Sequence, residues 1–240
     1  MRFLPVLLAA VFFTVFSIST ATATMITAGK DAYIQSGAAN ANINFGSAIL
    51  DQIKRQDGSA FTRKSYFGFD LSGLPAAPIA TATFNLNFVD SRLGSTAANL
   101  VYGFELFGLT NQALDGWGES TITWNNAPAN QANNLLNAAM VTSLGTFNLT
   151  GKGLGVYNFS SQALVDFLNS DTNDMATLIL LRTTNQPNGA NNYVHAIASR
   201  EHVSGAGASL AITAVPEPST LLLVGAGLAS LGIIHRRRKS

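Results

Sequence analysis

The sequence predicts an all-β protein, a two-sheet jelly-roll-like sandwich with one short helix. Ten short segments carry apolar residues at every second position, which is the spacing of a half-buried strand. Turn residues such as Gly, Asn and Pro separate these segments at intervals of roughly ten residues, as in sandwiches and barrels. Charged residues make up only 11% of the 240 residues, below the roughly 25% typical of soluble domains. This composition suits an exported β protein.

The clearest predicted strand is Thr83–Phe88, in which Phe84, Leu86 and Phe88 share one face. The same alternation predicts nine further strands: Ala32–Gln35, Ala48–Lys54, Lys64–Phe69, Leu100–Leu106, Gly145–Leu149, Leu154–Phe159, Thr177–Leu181, Val194–Ala198 and Ser209–Ile212. A helix is predicted from about Ser161 to Leu168, because a serine can cap it and its apolar residues recur at helical spacing. The Asn- and Ala-rich stretch Pro128–Met140 is expected to form a long surface loop.

The first 23 residues have the pattern of a secretory signal peptide. Arg2 is followed by an apolar run from Phe3 to Ile18 and by the small residues Ala21-Thr22-Ala23. We expect signal peptidase to cut after Ala23. The alternative is an uncleaved membrane anchor, which the short apolar run makes less favourable.

The last 26 residues, 215–240, have a different pattern. Val215-Pro216-Glu217-Pro218-Ser219 precedes an apolar stretch, 221–234, and a basic cluster closes the chain. As a helix, the apolar stretch would span about 21 Å against about 30 Å of bilayer hydrocarbon, so it suits a temporary anchor.

This tail resembles the PEP-CTERM sorting signal. The resemblance implies recognition by an exosortase and cleavage near Pro216, Glu217 and Pro218. It also implies transient insertion of residues 221–234 into the inner membrane of a Gram-negative bacterium, and delivery to the cell surface or extracellular matrix. A permanent single-pass anchor that keeps the tail is the alternative.

The charge of the predicted domain, residues 25–214, differs from that of the whole chain. The chain has 14 Lys and Arg and 13 Asp and Glu, for a formal charge of +1. Five of the cations and Glu217 lie in the terminal segments, so the domain keeps nine cations and twelve carboxylates, near −3. An acidic domain argues against nucleic-acid binding. The absence of cysteine excludes disulfides, thiol catalysis and Cys-ligated zinc.

A second resemblance covers most of residues 28–214. Its most specific part is Trp117-Gly118-Glu119-Ser120-Thr121-Ile122-Thr123-Trp124-Asn125, supported by residues 31–36, 63–75 and 198–201. These blocks resemble the DNRLRE-type domain, which is related to carbohydrate-binding modules found beside alginate lyases. The resemblance implies a jelly-roll sandwich that holds acidic polysaccharide in secreted or matrix proteins.

Arginine forks and lysine charges suit sugar carboxylates, and aromatic rings suit sugar faces. On this basis the candidate ligand-binding residues are Lys54, Arg63, Lys64, Tyr66, Trp117 and Arg200. Each of them can instead be buried or internally paired. Asp31, Asp70, Asp115 and Glu119 could supply the carboxylate oxygens that calcium prefers. Of these, Asp31 and Asp70 are the candidate ligands of one structural calcium ion. We expect no other cofactor.

The sequence therefore predicts a non-enzymatic surface or matrix protein that binds acidic exopolysaccharide. One alternative is a purely structural biofilm protein without a sugar site. Another is a small polysaccharide lyase that uses Tyr193, His195 and Arg200 as base, acid and carboxylate neutraliser. The lyase needs these three side chains to converge in a groove, whereas the binding protein needs exposed cations and aromatic rings.

Overall fold

The computed structural model describes residues 23–75, 77–186, 191–205 and 207–215. Residues 1–22 and 216–240 lie outside these ranges, and with them Pro216, Glu217, Pro218 and the apolar stretch 221–234. The described residues belong to the compact unit Thr22–Val215. Within them, no helix has both the length and the apolar character needed to cross a membrane.

The described residues form eleven strands and one α-helix. In chain order they are β1 (Ala23–Thr27), β2 (Lys30–Gln35), β3 (Leu50–Ile53), β4 (Arg63–Asp70), β5 (Ile79–Val89), β6 (Val101–Leu109), β7 (Val141–Thr150), β8 (Gly155–Phe159), α1 (Gln162–Asn169), β9 (Met175–Arg182), β10 (His195–Ala198) and β11 (Ser209–Ala214). A single 3-10 turn covers Gln112–Leu114. All ten predicted strands are present. β1, which is largely exposed and lacks alternation, was not predicted.

The strands form two antiparallel sheets, as predicted. The six-stranded sheet has the order β1-β11-β5-β10-β3, with β8 also paired to β5. The five-stranded sheet has the order β2-β4-β9-β6-β7. β3 and β2 are therefore edge strands of different sheets, and residues near them can join the two layers.

The main core fills the space between the sheets. Phe84 and Phe88 of β5 meet Phe67 and Phe104 of the other sheet, with ring centroids 5.4 Å and 5.8 Å apart in edge-to-face geometry. Such aromatic pairs add to the stabilisation from burial. The inward face predicted for β5 is confirmed.

A second apolar cluster covers the outer face of the five-stranded sheet. Tyr66 and Ile179 from the sheet pack against Trp117, Ile122 and Ala127 from the segment 110–140. We call this segment the cover segment. The prediction of an exposed loop at Pro128–Met140 is wrong in part, because Ala129 and Asn134 are buried. As a result, β4 is covered on both faces.

Helix α1 packs on the main core and begins where the sequence predicts. Ser161 caps it, because its Oγ accepts a hydrogen bond of 3.0 Å from the backbone N–H of Leu164. Leu164, Val165 and Leu168 are buried.

Candidate functional site

Four of the six predicted sugar-contacting residues are buried, and three of them, Lys64, Tyr66 and Trp117, lie where the cover segment packs on the sheet. Lys64 and Tyr66 are fully inaccessible, and Trp117 is 9% exposed. The expectation that they form part of an exposed patch is wrong. Alternate residues of β4 point to opposite faces, and the cover segment hides the face that carries Lys64 and Tyr66.

Lys64 fastens the cover segment to the sheet. Its Nζ donates hydrogen bonds to Asn130 Oδ1 at 2.6 Å and to the carbonyl oxygens of Gln131 and Leu135 at 3.0 Å and 2.7 Å. It also lies 4.6 Å from the centroid of the Trp124 ring. Burial lowers the pKa of Lys64 to about 7. All three donors of the ammonium group are used internally.

Tyr66 and Trp117 also use their polar atoms inside the protein. The Tyr66 hydroxyl donates to the carbonyl of Pro128 at 3.0 Å, and Trp117 Nε1 donates to Thr177 Oγ1 at 3.0 Å. The Nζ of Lys30 lies 4.4 Å from the Trp117 ring centroid. Burial raises the pKa of the Tyr66 phenol. Both rings therefore attach the cover segment rather than offer a surface.

The other two predicted cations of this stretch, Lys54 and Arg63, line an open cleft of about 270 Å³. We call it the cationic cleft. Its walls are formed by Lys54, Gln56, Phe61, Arg63, Leu93, Gly94, Asn192 and Val194. No Asp or Glu is among these lining residues. The cleft is thus locally positive on a domain whose net charge is negative.

A short hairpin brings the two cations together. Lys54 follows β3, Arg63 begins β4, and the two residues form an isolated antiparallel bridge. The turn between them is closed by Thr62, whose Oγ1 donates to the carbonyl of Gln56 at 2.9 Å. The residue before Thr62 is Phe61, whose exposed fraction is 48%. The hairpin therefore places two cations, the nearly buried Lys54 and the partly exposed Arg63, beside an exposed aromatic ring.

The charge of Lys54 is poorly compensated. Its pKa is lowered to about 8, mainly by burial and further by the neighbouring charges of Arg63 and Arg182. Among the described residues, none of the ion pairs involves Lys54. Its Nζ lies 5.8 Å from the Phe61 ring centroid. An anion that entered the cleft would supply the missing countercharge.

Arg63 is held in place by neutral partners. Its Nε donates to Gln35 Oε1 at 2.9 Å, and its Nη1 donates to the carbonyl of Phe61 at 3.3 Å. Burial lowers its pKa. The buried Arg182, whose charge also lowers the pKa of Lys54, donates from Nη1 to the carbonyl of Tyr193 at 2.7 Å. Neither guanidinium forms an ion pair with a carboxylate among the described residues.

Arg200, the sixth predicted binding residue, lies in a different environment. Its Nη1 is 3.2 Å from Glu119 Oε2, and its Nε is 3.5 Å from Glu201 Oε1. Its backbone N–H donates to Asp31 Oδ2 at 2.9 Å. The structure does not bring Arg200 to the cationic cleft, because its partners hold it in a cluster of carboxylates.

The predicted calcium ligands Asp31 and Asp70 do not share a site. Asp70 is exposed at the end of β4, and its Oδ1 accepts a hydrogen bond of 2.9 Å from Ser72 N–H. Hydrogen bonds from the side chain and the backbone of Ser72 lower the pKa of Asp70. Asp31 is 1% exposed and lies with Glu119 and Glu201, each offering an oxygen within 4.8 Å of the others. We call Asp31, Asp51, Glu119 and Glu201 the carboxylate cluster.

The turn before β3 fixes Glu119 in this cluster. Asn44 Nδ2 donates to the carbonyl oxygens of Glu119 and Ile122 at 2.7 Å and 2.8 Å. A Cβ on Gly46 would overlap the backbone of Glu119, so only glycine permits this approach. The Glu119 carboxylate in turn accepts a hydrogen bond of 2.8 Å from the Asp31 backbone N–H.

The three residues of the proposed lyase site do not converge in a groove. Tyr193 and His195 are fully buried, with ring centroids 5.1 Å apart. The Tyr193 hydroxyl donates to Asp90 Oδ1 at 3.0 Å, and His195 Nε2 lies 3.2 Å from the carbonyl of Gly151. Burial lowers the pKa of His195 to about 3. Arg200 has its charged partners in the carboxylate cluster.

A family model described as carbohydrate-binding module family 96 matches residues 22–149, more than half of the chain. The chain belongs to this family. The matched region contains Lys54, Phe61 and Arg63 of the cationic cleft, while Asn192 and Val194 lie beyond it. A module of family 96 is a carbohydrate-binding domain, as the resemblance in residues 28–214 implied.

The tail of this family 96 protein also matches a known model. The PEP-CTERM protein-sorting motif covers residues 214–239, which confirms the resemblance of the tail. This motif directs exosortase-dependent export to the cell surface or the extracellular space. No curated protein matches the chain.

The sequence prediction missed Phe61 of the cationic cleft, Asp51 and Glu201 of the carboxylate cluster, and the cleft wall residues Leu93, Asn192 and Val194. Phe61 follows a turn and belongs to no alternating pattern. Asp51 occupies a buried position of the edge strand β3, and Glu201 lies in the turn after β10. The only sequence clue was the Ser199-Arg200-Glu201 block of the family resemblance. The spatial neighbours of Asp51 and Glu201 depend on which strands form the sheet edges.

Proposed function

We propose that this family 96 module binds acidic polysaccharide in the cationic cleft, without catalysis, after the protein has reached the cell surface or matrix. The observation that carries the proposal is the uncompensated charge of Lys54. This lysine is 6% exposed, lines an open cleft and has two like charges beside it. A carboxylate of a uronic acid would relieve this repulsion.

The cleft supplies two further kinds of contact. The ring of Phe61 is about half exposed beside Lys54, and a flat apolar ring can stack on the apolar face of a sugar. Leu93 and Val194 add apolar wall, and Asn192 adds an amide. Together these residues suit a sugar ring that carries one carboxylate group.

The acidic character of the whole domain supports a local site rather than general attraction. Residues 25–214 carry three more carboxylates than cations, so a polyanion is repelled by most of the surface. Binding therefore depends on the cleft, and neutralising Lys54 should have a large effect.

The test is isothermal titration of the purified protein with polyuronate fragments and with neutral glucan fragments. We expect saturable binding of the polyuronate that weakens with added salt. Lys54→Met should reduce affinity at least about tenfold, because a desolvated charge contact contributes more than a kcal/mol. Lys152→Met is the matched control, because Lys152 is paired with Asp90 outside the cleft.

Two outcomes would overturn the proposal. One is the absence of polyuronate binding, which would favour a purely structural role for the domain. The other is binding that is unchanged in both Lys54→Met and Phe61→Ala, which would place the glycan elsewhere. Release of unsaturated uronate, detected by its absorbance, would contradict the non-catalytic part of the proposal.

For the two ends of the chain we propose signal peptidase cleavage after Ala23 and exosortase cleavage near Pro216, Glu217 and Pro218, in a Gram-negative host. Ala23 pairs with Thr213 as the first residue of β1. A cut after it removes one of five paired positions and leaves Thr24–Thr27 in the sheet. Mass spectrometry of the mature protein tests both cuts. Retention of residues 219–240 would contradict exosortase cleavage.

A further inference from the structure

The carboxylate cluster gathers four acidic side chains from four separate parts of the chain. Asp31 belongs to β2, Asp51 to β3, Glu119 to the cover segment, and Glu201 to the turn after β10. Asp31, Glu119 and Glu201 each offer an oxygen within 4.8 Å of the others. Asp51 is not within this distance of all three, but it lies on the neighbouring strand, because it pairs with Ile197 of β10, four residues before Glu201.

Two carboxylate oxygens in this cluster have no hydrogen-bond partner. They are Asp31 Oδ1 and Asp51 Oδ2, and both side chains are 99% buried. Within the described residues, no N–H or O–H group reaches either atom. A buried, unpaired carboxylate oxygen is costly. Its presence at two adjacent positions indicates that the site is arranged for a cation.

The positive charges beside the cluster do not balance it. Arg200 pairs with Glu119 and Glu201, but its side chain is 43% exposed and does not reach the two unpaired oxygens. Lys30 is near Glu119, but its Nζ donates to the carbonyls of Asp115 and Trp117. Four carboxylates thus face one guanidinium group at the rim.

We propose that Asp31, Glu119 and Glu201, with the buried Asp51 beside them, bind a divalent cation of the calcium class. All four donors are hard oxygens, and the ligand set contains neither His nor Cys, which disfavours zinc and copper. The carboxylates come from β2, β3, the cover segment and the turn after β10. Ligands from separate segments can adjust to the irregular geometry of calcium more easily than to the strict octahedron of the smaller magnesium ion.

Such an ion would add a further connection between β2, β3 and the cover segment. β2 and β3 are edge strands of opposite sheets, and Glu119 belongs to the cover segment. Binding would therefore tie both sheets and the cover segment at one point. Lys54 and Asp51 are three residues apart on an extended chain, about 10 Å, so this site is distinct from the cationic cleft.

The experiment measures thermal unfolding and terbium luminescence of the whole protein, with calcium, with magnesium and with chelator. Saturating calcium should raise Tm by about 5 °C or more over the chelated protein, and calcium should displace bound terbium. Magnesium should have a smaller effect. No glycan is present, so this result is independent of the cationic cleft.

Two substitutions sharpen the test. Asp51→Asn should weaken calcium binding at least about tenfold while leaving the chelated protein equally or more stable, because it removes a buried negative charge. Arg200→Gln should strengthen calcium binding, because it removes a competing cation. Asp70→Asn is the matched control and should bind calcium like the native protein, since Asp70 lies outside the cluster.

The proposal is overturned if calcium neither shifts Tm nor displaces terbium. It is also overturned if Asp51→Asn responds to calcium as the native protein does. A response that is lost equally in Asp70→Asn and Asp51→Asn would reflect surface binding of the ion and would contradict the assigned ligands.

Discussion

Lys54 and Arg63 face each other across an antiparallel bridge, with Lys54 N–H donating to the Arg63 carbonyl at 3.2 Å and Arg63 N–H donating to the Lys54 carbonyl at 2.8 Å. Opposed residues in an antiparallel pair send their side chains to the same face. Backbone geometry thus holds two cations side by side, although like charges destabilise such a pair. The anion proposed for the cationic cleft would lie beside both cations and offset this repulsion.

The first prediction concerns the pH dependence of glycan binding. The pKa of Lys54 in the free protein is lowered to about 8, and a bound carboxylate would raise it. The association constant for polyuronate should therefore be highest below pH 8, where Lys54 is protonated in the free protein. It should fall as pH rises above 8, by up to about tenfold per pH unit. Titration calorimetry between neutral and alkaline pH measures this change.

The matched variant for this pH test is Lys54→Arg. Arginine stays charged throughout the range, so its binding curve should be flat where that of the native protein falls. A native profile as flat as that of Lys54→Arg would show that Lys54 does not titrate in the binding equilibrium.

The second prediction concerns the attachment of the cover segment by Lys64. Lys64→Met leaves the carbonyl oxygens of Gln131 and Leu135 without this donor. Unsatisfied buried acceptors should lower the free energy of unfolding by about 2–4 kcal/mol. Urea denaturation measures the loss. Lys152→Met, which removes an exposed cation, should change it by less than about 1 kcal/mol. Comparable losses in the two variants would contradict the assigned role.

The third prediction tests whether Trp117 stabilises the fold or contacts the glycan. Trp117→Phe keeps an aromatic ring but loses the hydrogen bond to Thr177 Oγ1. We expect a loss of about 1–2 kcal/mol in unfolding free energy with unchanged affinity for polyuronate. If affinity fell while stability was preserved, Trp117 would contact the glycan, contrary to its buried position.

The fourth prediction concerns acid stability and His195. Burial among aromatic rings lowers its pKa from 6.5 to about 3. Below pH 6.5 His195 is protonated in the unfolded chain but stays neutral in the folded protein. Its contribution to the free energy of unfolding is therefore lost as pH falls. Between pH 6.5 and 4.5 the loss is about 2 kcal/mol.

His195→Gln should remove this contribution, because glutamine does not titrate and can still donate to the Gly151 carbonyl. The measured quantity is the difference between the two proteins in unfolding free energy at the two pH values. This difference cancels the titration of the carboxylates, which both proteins share. Parallel pH profiles for the native protein and the variant would contradict a neutral His195 in the fold.

Much of the fold could be predicted from the sequence, because strand alternation is a local property. Phe84, Leu86 and Phe88 show which face of β5 is buried before any partner is known. The same alternation places Lys64 and Tyr66 on the other face of β4, but not what lies over that face. The cover segment has no regular spacing of apolar residues, so its packing on the sheet could not be predicted from the sequence pattern.

The two sites were predicted only in part for a related reason. Lys54 and Arg63 were recognised by charge, yet charge alone also selected Lys64, which is internal. Asp31 was recognised as a ligand type, but its partners Asp51 and Glu201 come from distant segments. Which residues meet depends on strand order, and strand order is a non-local property of the fold.

The pairing of β1 with β11 places the first and last strands of the described domain side by side. Ala23 and Thr27 pair with Thr213 and Ser209, so residues 23 and 213 are next to each other at one edge of the six-stranded sheet. A module whose ends are neighbours can be circularly permuted or inserted into the loop of another protein without rearranging its core. The same geometry would let the family 96 domain serve as a transplantable sugar-binding unit.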